Sequence, residues 1–397
     1  MAMSKGLQTL KFAKETFCFG QLAKSNFCSE QKPIKTKILE WVKEEIKNGY
    51  DVNKKNEEGG TPLSIAVIND NEELTSVLLA NKAEPNLMVN EGTTLLVLAI
   101  QERCSPRLIN ILLKAGADPS FSPFGLTPLM VASILGNKDA LQELLSFEDL
   151  SCAHQLDINE KDANGKTALS LAIGTQIQNK YVRDLGELIQ HENILDVIKG
   201  LIKWGADTNV KDKTGLTPLM KAALAGNIEI VQLLIGSGAL LDEKDNFGNS
   251  ALSLIIKTQI NDEMNSNSVR DTLSPKKAYE MIEFLLMSRA DVDNLDAEEA
   301  TPLMFATLTK NADIVQLLLK FNPLINAVNS HSQTALDLAE DNEIVRILRE
   351  NKAISLRNKE RSKVISISGG KFLPKEDEIK HNIKSRYSMF NPNNNLH

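Results

Sequence analysis

The sequence predicts an all-α chain that repeats one helix-turn-helix unit, and three observations carry that prediction. The first is the stretch GLTPLMKAALAGNIEIVQLLIGSGALLD, residues 215–242, which holds a complete unit. Gly215 closes a polar turn begun at Asp212, Thr217 is an N-cap, and Pro218 takes the first helical position, where its missing N–H is no loss. Leu219, Ala222 and Ala223 give a stripe of apolar and small residues, and Gly226-Asn227 breaks the helix. Ile228, Ile230, Val231, Leu233 and Leu234 mark a second helix, which Gly238-Ala239 ends. The second observation is recurrence. The anchors Thr61, Thr94, Thr127, Thr167, Thr217, Ser250, Thr301 and Thr334 stand 33, 33, 40, 50, 33, 51 and 33 residues apart. The third is composition: 42% hydrophobic but only 5% aromatic residues suit a core of Leu, Ile and Ala between thin helices. Each unit buries its apolar face only on its neighbours, so 397 residues read as one elongated domain.

A 33-residue period in four of seven intervals, with TPLM at Thr217 and Thr301 and Gly-Ala-Asp at 116–118, resembles the ankyrin-repeat family. The resemblance covers about residues 35–351 and implies a solenoid of helix-turn-helix units joined by β-turn or hairpin loops, with capped ends. It further implies a non-enzymatic scaffold or adaptor that holds a protein partner. The chain is rich in Lys, Asn and Ile and is also similar to ankyrin proteins that intracellular bacteria deliver into host cells, some with tail-borne secretion signals. That likeness implies an effector in the host cytoplasm, and the alternative within the binding class is a eukaryotic cytosolic regulatory adaptor.

Residues 1–34 do not fit the repeat. Phe12, Phe17, Phe19 and Phe27 beside Lys11, Lys14 and Lys24 suit either a basic amphipathic helix or a cap folded onto the first repeat. The cap is the simpler reading, because a terminal repeat needs cover. Ile38, Leu39, Trp41, Val42 and Ile46 predict the outer helix of a partial repeat, ended at Asn48-Gly49, and Asp51-Val52-Asn53 matches the family's turn. The repeats at Thr61 and Thr94 are plain, although Leu95 stands where proline is usual. The repeat at Thr127 has seven extra residues around 146–152, which lengthen its second helix or widen the following loop.

Two long repeats follow, and each is succeeded by one of normal length. Their extra residues, 176–192 and 259–276, align between the two helices. The flanks TALSLAIGTQIQ and SALSLIIKTQIN also match, which suggests duplication of a block of about 83 residues. Insertions at equivalent places emerge on one edge, here about 20 Å apart, and such a pair could form a bracket. Tyr181, Val182, Leu185, Leu188 and Ile189 give the first helical spacing, whereas Asn261, Asn265, Ser266, Asn267 and Ser268 make the second polar. Neutral drift in a tolerant loop accounts for them equally well.

The chain departs from the family three residues after each anchor, where His is frequent. Those positions hold Ser64, Val97, Met130, Ser170, Met220, Ser253, Met304 and Asp337, so the polar network between repeats must differ. The last repeat is two residues short at Asp341-Asn342 and ends in a charged helix with Arg346, Arg349 and Glu350, which reads as the C-terminal cap. Residues 352–397 form a basic tail with ten Lys/Arg against four Asp/Glu. Residues 1–50 carry nine against five, so within a net charge of −7 the body holds −17. An acidic body argues against nucleic acid, which needs a positive track. The tail has the composition of a solvated, disordered segment, and its Ser362, Ser366, Ser368, Ser385 and Ser388 could accept phosphate.

Catalytic signatures are few. The five histidines, His154, His191, His331, His381 and His397, are scattered, and only Cys152 and His154 are close in sequence. Two ligands are short of a zinc site, and residues so near in a loop seldom give nucleophile and base geometry. The chain contains no GxGxxG, P-loop, HExxH or GxSxG string. These observations predict no enzyme, no metal and no cofactor; the alternative from another class is an enzyme with an unrecognised site near the 146–154 insertion or in the terminal segments. The absence of 18 consecutive apolar residues predicts no membrane insertion, and four sparse cysteines, Cys18, Cys28, Cys104 and Cys152, suit a reducing, cytoplasmic setting. The expected state is a monomer with a protein partner.

The family resemblance places partner contacts at turn tips and late in the first helix of each repeat. By position these are residues four, three and one before each anchor and seven and eight after it. The apolar residues there are Phe124, Leu126, Ile134 and Leu135 in the third repeat, Leu216 and Leu224 in the fifth, Phe247 in the sixth and Leu308 in the seventh. An exposed apolar cluster at places the fold does not require commonly marks a docking surface, with Phe the strongest anchors.

Overall fold

The computed structural model describes residues 32–56, 60–89, 93–121, 125–147, 156–175, 191–260 and 273–355, with side chains from 39 onward and excepting 191–192. The N-terminal segment, Cys152, His154, Phe124, most of both insertions and the tail beyond 355 lie outside the described residues. The chain divides into two compact units, Met1–Asp291 and Val292–His397.

The first unit is an alternation of inner and outer helices. It opens with α1 (Lys32–Lys47), which starts well before the predicted Ile38. The pairs that follow are α2 (Pro62–Ile68) with α3 (Glu72–Ala80), α4 (Leu95–Gln101) with α5 (Pro106–Lys114), and α6 (Pro128–Leu135) with α7 (Lys138–Ser146). Next come α8 (Ala168–Gly174) with α9 (His191–Lys203), α10 (Pro218–Leu224) with α11 (Ile228–Gly236), and α12 (Ala251–Thr258) with α13 (Pro275–Met287). A short antiparallel ladder, β1 (Met88–Val89) with β2 (Thr93–Thr94), leads into α4.

The anchors explain why the inner helices start where they do. The hydroxyl of each accepts the N–H three residues on, from Thr61 with Ser64 at 3.2 Å to Ser250 with Ser253 at 3.4 Å. Such a cap stabilises a helix by about 1 kcal/mol. Where the third residue is serine the bond is returned: the backbone N–H groups of Thr61, Thr167 and Ser250 donate to Ser64, Ser170 and Ser253 at 2.9, 3.0 and 2.9 Å. Serine thus closes a reciprocal cap within its own repeat. The inner helices α2, α4, α6, α8, α10 and α12 pack in succession, and α1, α3, α5, α7 and α9 succeed one another in the outer layer. Between the layers lie fully buried aliphatic residues such as Leu63, Leu78, Leu96, Ile109, Leu112, Ile198 and Val231. Burial of each such side chain stabilises the fold by roughly 1.5–3 kcal/mol.

Repeats are also joined by side-chain amides. Asn53 Oδ1 accepts the Glu84 N–H at 2.9 Å while its Nδ2 donates to the Lys82 carbonyl at 3.1 Å. Asn86 does the same to Asp118 and Gly116, and Asn209 to Leu240 and Gly238. At the sixth repeat the position is Asp242, whose carboxylate accepts the Asp291 N–H at 2.9 Å.

The insertions are partly absorbed as helix. Helices α9 and α13 have 13 residues each, against nine in α3, α5, α7 and α11, and both gain length at their N-terminal ends. The seven extra residues of the third repeat do not lengthen α7, which stops at Ser146 like its nine-residue counterparts.

The second unit holds α14 (Pro302–Leu308) with α15 (Ala312–Leu319) and α16 (Ala335–Leu338) with α17 (Asn342–Glu350). Helix α16 has only four residues, as the shortened last repeat requires. Residues 353–355 lie back over it: the Thr334 hydroxyl donates to the Ile354 carbonyl at 2.8 Å, and Ile354 N–H donates to Asn326 at 2.8 Å. The Ser355 hydroxyl donates to the buried Asp337 carboxylate, which also accepts Thr334 N–H at 3.0 Å. These contacts close the last repeat.

Candidate protein-docking face

The turns that precede the inner helices are built on acidic residues facing inward. Asp162 Oδ1 accepts the N–H groups of Asn164 and Lys166, both at 2.8 Å. Asp212 Oδ1 accepts those of Thr214 and Leu216 at 2.8 and 3.1 Å, and Asp245 Oδ1 those of Phe247 and Asn249 at 2.9 and 2.8 Å. A carboxylate collecting two backbone donors fixes the tip.

Consecutive tips are tied together. Lys213 N–H donates to the Asn164 carbonyl at 2.9 Å, Asn246 N–H to Thr214 at 3.3 Å and Asn246 Nδ2 to Lys213 at 2.8 Å. The close approach demands glycine: Gly215 has φ +82, and a Cβ there would lie 2.6 Å from Asn246 Oδ1 and 2.9 Å from the Asp245 carbonyl carbon. The result is a rigid edge along repeats four to six.

On this edge and the inner helices beside it the predicted residues fall into three groups. Phe247 stands at a turn tip, 70% exposed. Leu126, Leu216 and Ile134 are half-buried. Leu135 and Leu224 are buried, at 7% and 8% exposure, and so are not surface anchors as predicted. Both lie on the last turn of an inner helix that packs between two other inner helices. In the second unit Leu308, at 36%, is at the margin of exposure. Phe124 lies outside the described residues.

Sequence reasoning passed over three residues of this face. Ile68, seven residues after Thr61, is 48% exposed at the position the same rule inspects. Lys257, seven after Ser250, donates to the Asn249 side chain. Lys221, four after Thr217, is buried where other repeats carry Ile65, Leu98, Val131, Leu171 or Leu254. Its ammonium lies 2.9 Å from Asp212 Oδ2. Burial lowers the Lys221 pKa against the opposing pull of Asp212. Burial also works against the Asp212 charge, but donation from Thr214, Lys221 and Leu216 outweighs it and holds that carboxyl below its ordinary value.

At the other end of the inner helices a cavity of about 460 Å³ is lined by Asp70, Arg103, Cys104, Ser105 and Asn137 among others. Its thiol is not a nucleophile: Cys104 is buried, donates to the Val67 carbonyl at 3.1 Å, and has its pKa pushed up to about 12 by burial, then by Asp70 and Glu102. Among the described residues no cluster of three or more His, Cys, Asp and Glu could hold a metal ion. No described helix is long and apolar enough to cross a membrane.

A ladder of capped turns and paired helices, without converging chemistry in the described residues, defines a repeat protein of the protein–protein interaction class. The sequence model for ankyrin repeats in three copies matches residues 34–122, 105–185, 185–264 and 273–359, and the chain belongs to the ankyrin-repeat family. It is similar to the human transient receptor potential cation channel subfamily A member 1, at 28% identity over 76% of this chain and 31% of that protein. It is also similar to the mouse B-cell lymphoma 3 protein homolog, at 27% identity over 66% of this chain and 51% of that protein. The crystal structure of the ankyrin repeat domain of Bcl-3, described as a member of the IkappaB protein family, aligns with a TM-score of 0.52 at 25% identity, over 66% of this chain and 100% of that domain. The chain spans 31% and 51% of the lengths of those two curated relatives.

Proposed function

We propose that the protein is a non-enzymatic adaptor that holds a partner protein on its turn tips and inner helices. The observation that carries this reading is Phe247, a large apolar side chain 70% exposed on a turn whose backbone is fixed by Asp245 and by the neighbouring tip. An exposed aromatic residue has only two side-chain torsions to fix on binding and offers a large area to bury. Leu216, Ile134 and Leu126 supply half-buried apolar surface on the same kind of position, and Leu308 supplies it in the second unit. Likeness to the ankyrin repeat domain of Bcl-3 supports a regulatory adaptor. Delivery into a host cell by an intracellular bacterium would set the same face to work in host cytoplasm, and the test does not depend on the setting. A photo-crosslinking amino acid at position 247 is expected to trap one discrete partner. Crosslinking no stronger than from the same group at Lys114, on an outer helix, would overturn the assignment.

A further inference from the structure

Phe247 stands on a turn braced from the inner helix behind it. Its N–H donates to Asp245 Oδ1 at 2.9 Å, and so does the N–H of Asn249 at 2.8 Å. The same carboxylate takes a further donor, because Asn249 Nδ2 lies 3.1 and 3.0 Å from Asp245 Oδ1 and Oδ2. An amide turned this way points its oxygen away from the carboxylate, and that oxygen accepts the Lys257 ammonium of α12. Asn249 is buried, at 5% exposure, and Lys257 is half-buried seven residues after Ser250. A chain of side chains thus joins helix to tip: Lys257 to Asn249, Asn249 to Asp245, and Asp245 to the Phe247 backbone. The same two positions, one before the anchor and seven after it, hold Leu126 and Ile134 in the third repeat and Leu216 and Leu224 in the fifth. An apolar pair serves there, so the polar pair of the sixth repeat is not something the fold requires.

We propose that Lys257 is a positioning residue for docking at Phe247. This rests on the docking face proposed above and adds the group that holds its anchor in place. Without a donor at Oδ1, the buried Asn249 amide would be free to turn over and set its oxygen against the Asp245 carboxylate, acceptor facing acceptor. The Lys257 ammonium removes that alternative, and its charge polarises the amide toward the carboxylate. The fifth repeat reaches the same end by a shorter route, since Lys221 of α10 lies 2.9 Å from Asp212 Oδ2. These two braced turns are also tied to each other, through Asn246 to Thr214 and Lys213. Phe247 is therefore presented from backbone that needs no ordering when a partner arrives, which lowers the cost of association.

The test uses variants of the full chain. Lys257→Met removes the charge and the donors, Lys257→Arg keeps both, and Asn249→Leu/Lys257→Leu installs the pair that the fifth repeat already accommodates. Lys203→Met, on the outer helix α9, is the control. Amide hydrogen exchange at Phe247, taken by NMR as a ratio to Asn164 in the fourth-repeat turn, reads the tip, and the ratio cancels any global opening. Crosslinking yield from a photo-reactive residue at position 247 reads docking. In Lys257→Met and in the double variant the exchange ratio should rise about fivefold or more and the yield should fall by a similar factor. Lys257→Arg and Lys203→Met should leave both unchanged. An exchange ratio that stays constant in Lys257→Met and the double variant would overturn the proposal. Faster exchange with full crosslinking would overturn it too, and would leave docking at Phe247 standing without the brace. Lost crosslinking with constant exchange would make Lys257 a contact and not a support. Crosslinking by the unmodified chain no stronger than from Lys114 would refute the docking face itself, while exchange at Phe247 still decides whether Lys257 holds the tip.

Discussion

Adding one methyl group at Gly215 separates the strength of the turn ladder from the ordinary cost of an alanine at positive φ. At φ +82 an alanine pays roughly 1–2 kcal/mol for the left-handed conformation. The new Cβ would also overlap Asn246 N and stand 2.6 Å from Asn246 Oδ1, so the sixth-repeat turn must move. That breaks the bonds from Asn246 N–H to Thr214 and from Asn246 Nδ2 to Lys213, at about 1 kcal/mol each. Gly215→Ala should therefore cost about 3–4 kcal/mol. Gly205→Ala is the reference: φ is +91, but nothing lies within 4 Å of the added Cβ, so only the conformational cost of about 1–2 kcal/mol applies. Urea unfolding gives the two values, and hydrogen exchange over 209–216 and 243–250 shows whether the loss is local, as expected when repeats open piecewise. If Gly215→Ala is no more destabilising than Gly205→Ala, the tips are not held by this ladder and the rigidity assigned to the edge is wrong.

Three further outcomes follow from buried polar groups. Thr75 is fully buried in α3 and its hydroxyl has no hydrogen-bond partner, so Thr75→Val should raise stability by about 1 kcal/mol in a urea titration; a loss would mean that the hydroxyl is satisfied. The folded Asp212 pKa is depressed, so its contribution is present above the ordinary carboxylate value of 3.8 and is lost as pH falls through the folded value. Asp212→Asn should accordingly flatten the acid limb of a stability profile below about pH 4, and an unchanged limb would refute this. Cys104, with its thiol pKa raised to about 12, should resist iodoacetamide in the native chain and react once it unfolds; rapid native labelling, followed by mass spectrometry of its peptide, would contradict the burial.

Much of the fold was legible because it depends on local chemistry. Thr217-Pro218 and Gly226-Asn227 set the ends of α10, and the same signals recur at a period the sequence displays. The insertions were found by the same counting, but their division between extra helix and loop was not. Ser274-Pro275 is itself a helix start signal, lying inside what was read as an insertion. Exposure was the weaker inference. Leu135 and Leu224 were chosen by position and are buried, because coverage depends on how neighbouring inner helices pack rather than on residue number. Phe247 could be found since a turn tip between Asp245 and Gly248 has little around it to bury a ring. Lys221 was invisible as a buried ion because its partner Asp212 lies nine residues back, joined only when the turn folds over the helix.

Affinity capture with two single variants tests the central claim most directly. Phe247→Glu and Trp204→Glu each remove one exposed aromatic residue, at 70% and 45% exposure, but Trp204 follows the outer helix α9. With unfolding curves matching the unmodified chain, Phe247→Glu should lower retention of the partner about tenfold or more while Trp204→Glu leaves it unchanged. Equal retention by both, or loss only with Trp204→Glu, would contradict docking on the turn tips and inner helices.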